Sequence, residues 1–271
     1  MGSWTLGDIP WDRFDAGLVD RDILAIVKAA SLVEGNGAAY ARHLCLVFGD
    51  DREFQESARR WGEEETRHGE ALGRWAALAD PDFDFPAALA RFRAGYRIDF
   101  DRDTSRRGSR CGEMIARCIV ETGTSSYYTA LHEAAREPVL KAVCRHIAAD
   151  ELRHYKLFYK TLQRYREREG VGLGDRLAVA ARRLAEASDD ELAYAYYAAN
   201  DGARPYDRRH CSRAYARRAW AVYRRHHVER GVAMVFKAVG LAPQGRLSRA
   251  ASGLLWRAMR WQRDRLAHIA A

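Results

Sequence analysis

Two short segments place metal-binding residue types at a spacing that a helix can turn into a site. Glu65-Thr66-Arg67-His68 and Glu151-Leu152-Arg153-His154 are both Glu-x-x-His. Residues i and i+3 of an α-helix share a face about one turn apart, so each segment presents a carboxylate and an imidazole to one point. Two such helices facing each other supply half of a cage for two metal ions. The other half requires two more helices, each with one inward Glu. A further acid precedes each segment, Glu64 in one and Asp150 in the other. A ligating His commonly donates its second ring N–H to a carboxylate, so these two acids are candidates for that role across the bundle, with Arg67 and Arg153 placed to brace them.

The helices that would position these groups can be read along the chain. An arm over 1–20 carries Trp4, Ile9, Trp11 and Phe14 to pack on the body. A helix is expected from the N-cap Asp20 to Phe48, its inward stripe Leu24, Val27, Ser31, Glu34, Ala38, Ala41 and Cys45 interrupted by Glu34. The next, 51–79, sets Ala58, Trp61, Glu65, His68, Leu72 and Ala76 on one face. After a short helix over 87–97 and a polar connection over 101–112, a helix at 112–136 carries Met114, Cys118, Glu121, Thr124, Tyr128 and His132 on one face. The fourth, from Pro138 to about Arg168, aligns Ile147, Glu151, His154, Phe158 and Leu162. The order Glu34, Glu65/His68, Glu121, Glu151/His154 is that of a dinuclear carboxylate bundle. Hard carboxylates can hold and bridge two divalent ions, iron or manganese, and two neutral imidazoles keep the charge near balance. Thr124, one turn beyond Glu121, could hydrogen-bond at the metal or deliver protons there. His132 lies too far along for easy contact.

Composition agrees with this fold class. The chain of 271 residues is 48% hydrophobic and 30% charged, with 6 prolines and no alternating strand pattern, which predicts an all-α protein with a sizeable core. No stretch of about 18 uncharged apolar residues predicts a spanning helix, and the first twenty residues lack the apolar core of a secretory signal. Five cysteines without a Cys-x-x-Cys suit reduced thiols in a cytoplasmic protein and leave no rubredoxin-type or zinc-ribbon module.

Two segments of the bundle resemble soluble acyl-acyl-carrier-protein desaturases: Arg60 to Gly69 (RWGEEETRHG) and Ile147 to His154 (IAADELRH). Thr124 three residues after Glu121 resembles the same family. The resemblance covers about 20–168 and implies a ferritin-like four-helix bundle with a di-iron cluster, dioxygen as co-substrate, oxidation of an unactivated C–H bond and an external electron donor such as a ferredoxin. The text around Glu121 departs from the family, so desaturation is one option beside hydroxylation and N-oxygenation. Peroxide or iron handling of the rubrerythrin or ferritin kind is the alternative.

The remaining quarter reads differently. Gly170 to Gly174 suggests a division into an arm plus bundle over 1–170 and a helical extension over 171–271, with helices near 175–200, 207–239 and 245–270. Residues 204–271 hold 16 Lys+Arg against 3 Asp+Glu, a net of +13, whereas 1–203 hold 29 against 34. Such asymmetry points to an acidic partner. Arg208, Arg209, Arg213, Arg217, Arg218, Arg224 and Arg225 could dock an acyl carrier protein. Residues 245–271, with Leu247, Ala251, Leu254, Ala258 and Trp261 on one face amid arginines, could lie on an anionic membrane. A nucleic-acid substrate is compatible with the same charge, and a homodimer is left open.

Overall fold

A computed structural model describes residues 4–96, 103–186 and 190–270, with side chains to 265. The ends of several expected segments, at 1–3, 97–102, 187–189 and 271, lie outside the described residues. Among the described residues the fold is all helix and turn, a ferritin-like bundle with extra C-terminal helices.

Local chemistry starts and stops the helices. The arm winds through three 3-10 turns before α1 (Arg21–Glu34), where the Asp20 side chain accepts from Asp22 and Ile23 N–H. The α2 helix spans Gly37–Val47, and α3 spans Arg52–Ala79 with Asp51 capping Phe54 N–H. The short α4 runs Phe85–Gly95, and α5 runs Arg110–Ala134 behind the N-cap Ser109. Helix α6, Pro138–Glu169, begins where Glu137 caps Val139 and Leu140 and ends at Gly170 in the left-handed conformation. Glu137 is buried and also accepts the Trp75 indole N–H at 2.7 Å and Asp15 N–H at 3.3 Å, tying the arm, α3 and α6 together. Next come α7 (Leu173–Ala185), α8 (Asp190–Tyr196) with a π-turn over Tyr197–Asp201, α9 (Arg208–Val222), α10 (Arg225–Val239) and α11 (Arg246–Ala270).

One hairpin is α1–α2 against α3 and the other is α5 against α6, with α3 on α6 closing the bundle. Helices α7 and α10 pack on α5, α8 and α9 pack on α1, and α11 rests on α9 and α10. The apolar core divides in two along the bundle. Ile26, Leu32, Leu72, Trp75, Leu131, Val143 and Ile147 belong to one part. Leu44, Phe48, Phe54, Trp61, Met114, Cys118, Phe158 and Leu162 belong to the other. On each of the four helical arms, the residues between these two sets are the carboxylates and histidines picked out by spacing.

The first arm is not one helix over 20–48 but two. Gly35 N–H bonds the Ser31 carbonyl and Asn36 N–H bonds that of Val33, so the chain turns at 35–36. The reason is close backbone approach. A Cβ on Gly69 would stand 2.4 Å from Gly35 N, and one on Gly37 would stand 2.3 Å from Glu65 Cβ. The turn also rotates the inward face. Val27, Ser31, Glu34 and Ala41 are buried as expected, but Ala38 is exposed and Leu24 and Cys45 half-buried, with Gly37 and Leu44 inside instead. Downstream, the expected helix over 207–239 breaks at Tyr223 and Arg224, both extended, where His227 Nδ1 accepts Arg224 N–H.

Candidate metal centre

The six residues converge. Glu34, Glu65, His68 and Glu151 offer ligand atoms within 4.8 Å of one another, as do Glu65, Glu121, Glu151 and His154. The two tetrads share Glu65 and Glu151, the acid of each Glu-x-x-His. That leaves Glu34 with His68 at one end and Glu121 with His154 at the other. All six are 8% exposed or less. His68 Nδ1 lies 3.2 Å from Glu151 Oε1 and 3.5 Å from Glu34 Oε2. His154 Nδ1 lies 2.9 Å from Glu65 Oε1 and 3.5 Å from Glu121 Oε2.

One atom from each of these residues (Glu34 Oε2, Glu65 Oε1, His68 Nδ1, Glu121 Oε2, Glu151 Oε1, His154 Nδ1) is buried without a hydrogen-bond partner. A buried polar atom left unpaired costs about 1–3 kcal/mol, so six lining one cage are anomalous for a closed core. They are the lone-pair donors that two cations would take. Four carboxylates and two neutral imidazoles balance two divalent ions, and this oxygen-rich set with two imidazoles suits iron or manganese.

The electrostatics of the protein alone fit the same arrangement. Burial, then the charges of Glu151 and Glu34, push the Glu65 carboxyl well above its ordinary range. Burial and Glu151 push Glu121 up to about 8. Burial opposes charge on both histidines, but the surrounding carboxylates outweigh it and raise them well above the usual imidazole range. The cage thus holds protons, and entering cations would displace them.

Outer partners orient the rings. His68 Nε2 is 3.2 Å from Asp150 Oδ2, and His154 Nε2 is 2.7 Å from Glu64 Oε2. Each imidazole is therefore met by an acid from the opposite hairpin, and donating Nε2–H leaves Nδ1 as the inward lone pair. Arg153 spans both acids, 2.6 Å from Asp150 Oδ1 and 3.3 Å from Glu64 Oε2. Burial acts to raise the Asp150 carboxyl, but His68, Arg153 and the Trp4 indole hold it down at about 2. Arg67 donates to the Trp4 carbonyl at 2.7 Å and lies over the Trp4 ring, so it acts on Asp150 through the arm.

Trp4 is the functional neighbour that spacing could not reveal. Its indole N–H bonds Asp150 Oδ2 at 2.7 Å across 146 positions, and its ring stacks on His68. Tyr128, read as a stripe residue, donates its hydroxyl to Glu34 Oε1 at 2.6 Å. The Thr124 hydroxyl donates to Glu151 Oε2. His132 instead sets Nδ1 2.8 Å from the Lys141 carbonyl, away from the cage. A cleft of about 220 Å³ lined by Arg60, Trp61, Glu64, Arg153, His154 and Leu157 reaches the His154 end from outside.

Residues 116–203 match the family model described as Rubrerythrin. That span, 88 of 271 residues, holds Glu121, Thr124, Glu151 and His154 and stops short of Glu34, Glu65 and His68. It supports a place in the ferritin-like di-iron superfamily, and the desaturase resemblance gains nothing from it. No curated protein matches the chain.

Glu133, His226 and His227 form a third convergent group. There His227 Nδ1 accepts Arg224 N–H, which places its ring proton on Nε2 facing Glu133 and leaves His227 itself no lone pair for an ion. Of the seven arginines considered for docking, five already face acids of the chain. Arg208 is 3.3 Å from Asp190, Arg217 and Arg218 are 3.1 and 2.8 Å from Asp22, Arg224 is 3.7 Å from Glu133 and Arg225 is 2.7 Å from Glu229. Arg209 and Arg213 are exposed on the same helix.

Proposed function

We propose that the chain is a di-iron oxidoreductase that uses dioxygen to oxidise an organic substrate of acyl-chain type, with electrons from a separate carrier protein. The observation that supports it is the set of six orphaned donor atoms, in two tetrads sharing Glu65 and Glu151. In this reading Glu34, Glu65, His68 and Glu151 would hold one ion and Glu65, Glu121, Glu151 and His154 the other, with Glu65 and Glu151 common to both sets. Two ferrous ions held there would supply the two-electron reduction of dioxygen and the oxidising power to break a C–H bond.

The protein's share is to hold, insulate and move protons. Asp150 and Glu64 fix the tautomers of His68 and His154. The apolar cores on both sides exclude water, which keeps a strong oxidant from side reactions. The Thr124 hydroxyl against Glu151 can pass a proton at that oxygen, and Tyr128 steadies Glu34. The hydrogen-bonded series Trp4, Asp150, His68 leads from the arm to the cage and offers a path for electrons from the carrier. An acidic carrier, for electrons or for the acyl group, would meet the arginines of α9 and α10. The matched family model favours a second reading, peroxide reduction or iron oxidation at the same cage. Anaerobic protein loaded with ferrous iron, mixed in turn with dioxygen and hydrogen peroxide in a stopped-flow spectrometer, separates them. Faster oxidation by dioxygen is expected, and oxidation much faster by peroxide would replace the first reading with the second.

A further inference from the structure

The last helix, α11, is turned the wrong way for a helix that serves only to complete the fold. Among its side chains described to residue 265, the buried ones are Ser248 and Ser252, with Trp256 and Met259 half-buried on the same side, and the helix packs on α9 and α10. Three of its largest apolar residues point outward: Leu247 is 72% exposed, Leu254 65% and Trp261 61%. At 100° per residue these three share one stripe with Ala250 and Ala258, about 21 Å long from 247 to 261. Arg246, Arg249, Arg257 and Arg260, all exposed, form a parallel stripe beside it. An amphipathic surface helix ordinarily buries its leucines against the core and exposes its polar residues. Here two serines take the buried positions, while Leu247, Leu254 and Trp261 lie in solvent.

We infer that α11 is an interfacial helix that seats the protein on an anionic lipid surface. The apolar stripe would enter the acyl boundary while the arginine stripe meets the phosphate headgroups, and Trp261 suits the boundary between them. Charge decides among occupants. Residues 204–271 carry a net of +13, so a second copy seated stripe to stripe would bring like charges together, whereas an anionic surface complements them. No helix among the described residues is long and apolar enough to cross a membrane, so the contact lies on the surface. This inference is independent of what the metal centre does, although a lipid surface would bring acyl chains near it.

The test is co-sedimentation of the intact chain with vesicles of equal parts phosphatidylglycerol and phosphatidylcholine, against vesicles of phosphatidylcholine alone. Binding to the anionic vesicles is expected, weakening with salt. Leu254→Asp and Trp261→Asp, at positions already in solvent, should each lower it about tenfold or more, with helical content and metal count unchanged. Arg257→Gln with Arg260→Gln should lower it and flatten the salt dependence. Equal binding to both vesicle types, or unchanged binding by the Leu254 and Trp261 variants, would overturn the inference. Self-association lost in those variants, or retention of tRNA or an acidic carrier protein without retention of vesicles, would overturn it in favour of that partner.

Discussion

Replacing Asp150 by Asn tests the wiring around the cage without touching a proposed ligand. Asp150 is 4% exposed, and its Oδ2 takes both the Trp4 indole N–H at 2.7 Å and His68 Nε2 at 3.2 Å, while Oδ1 takes Arg153 at 2.6 Å. An asparagine with its oxygen in the Oδ2 position keeps the first two contacts in shape. It removes the negative charge and turns an amide NH₂ toward the Arg153 guanidinium. His68 loses the carboxylate that polarises its ring, and its Nδ1 becomes a weaker donor. Loss of such an outer partner costs about 10–100-fold in metal affinity, or roughly 1.4–3 kcal/mol. Because His68 belongs to only one tetrad, the loss should fall on one of the two ions. Anaerobic titration with ferrous iron against a competing chelator measures this, as one tight and one weakened equivalent. Glu64→Gln should produce the mirror result through His154. A change of less than about threefold in either variant, or equal weakening of both ions, would refute the reasoning.

Other outcomes follow from the same geometry. Thr124→Val removes the hydroxyl at Glu151 and should leave two metal ions bound while slowing turnover by about tenfold or more, read as oxygen uptake against metal content. Gly69→Ala puts a methyl group 2.4 Å from Gly35 N. The helices must separate, so thermal unfolding should show a loss of about 1–3 kcal/mol. Buried Lys28 pairs with Asp80, and that bond together with the Lys28 charge outweighs burial and lowers the Asp80 carboxyl below its ordinary 3.8. A depressed carboxyl stabilises the fold fully above its unfolded pKa, and the contribution fades as pH falls through the folded value. Asp80→Asn should therefore destabilise at neutral pH, and the gap from the parent should close below about pH 4. A gap that persists in acid would contradict the pairing.

The Glu-x-x-His spacing placed Glu65, His68, Glu151 and His154 because i,i+3 geometry within a helix needs no tertiary knowledge. Glu34 and Glu121 were legible as acids inside apolar stripes, and the structure brings all six together. The turn at 35–36 was not legible, because small residues continue past it in nearly the same rhythm and its cause is the backbone of α3. Trp4 looked like one aromatic of a packing arm; its bond to Asp150 spans nearly the whole bundle in sequence, and no local pattern carries that. The amphipathic pattern of α11 was visible, but whether its leucines faced inward or outward depended on which side of the helix packs on α9 and α10.

The central claim is that six side chains hold two metal ions in two overlapping sets. The most direct measurement is an anaerobic metal count on protein reconstituted with ferrous iron, for the parent chain and for Glu34→Ala and Glu65→Ala. The account predicts two ions per chain, loss or weakening of one without Glu34, and loss of both without the shared Glu65. One ion or fewer in the parent, or an unchanged count without Glu65, would contradict it.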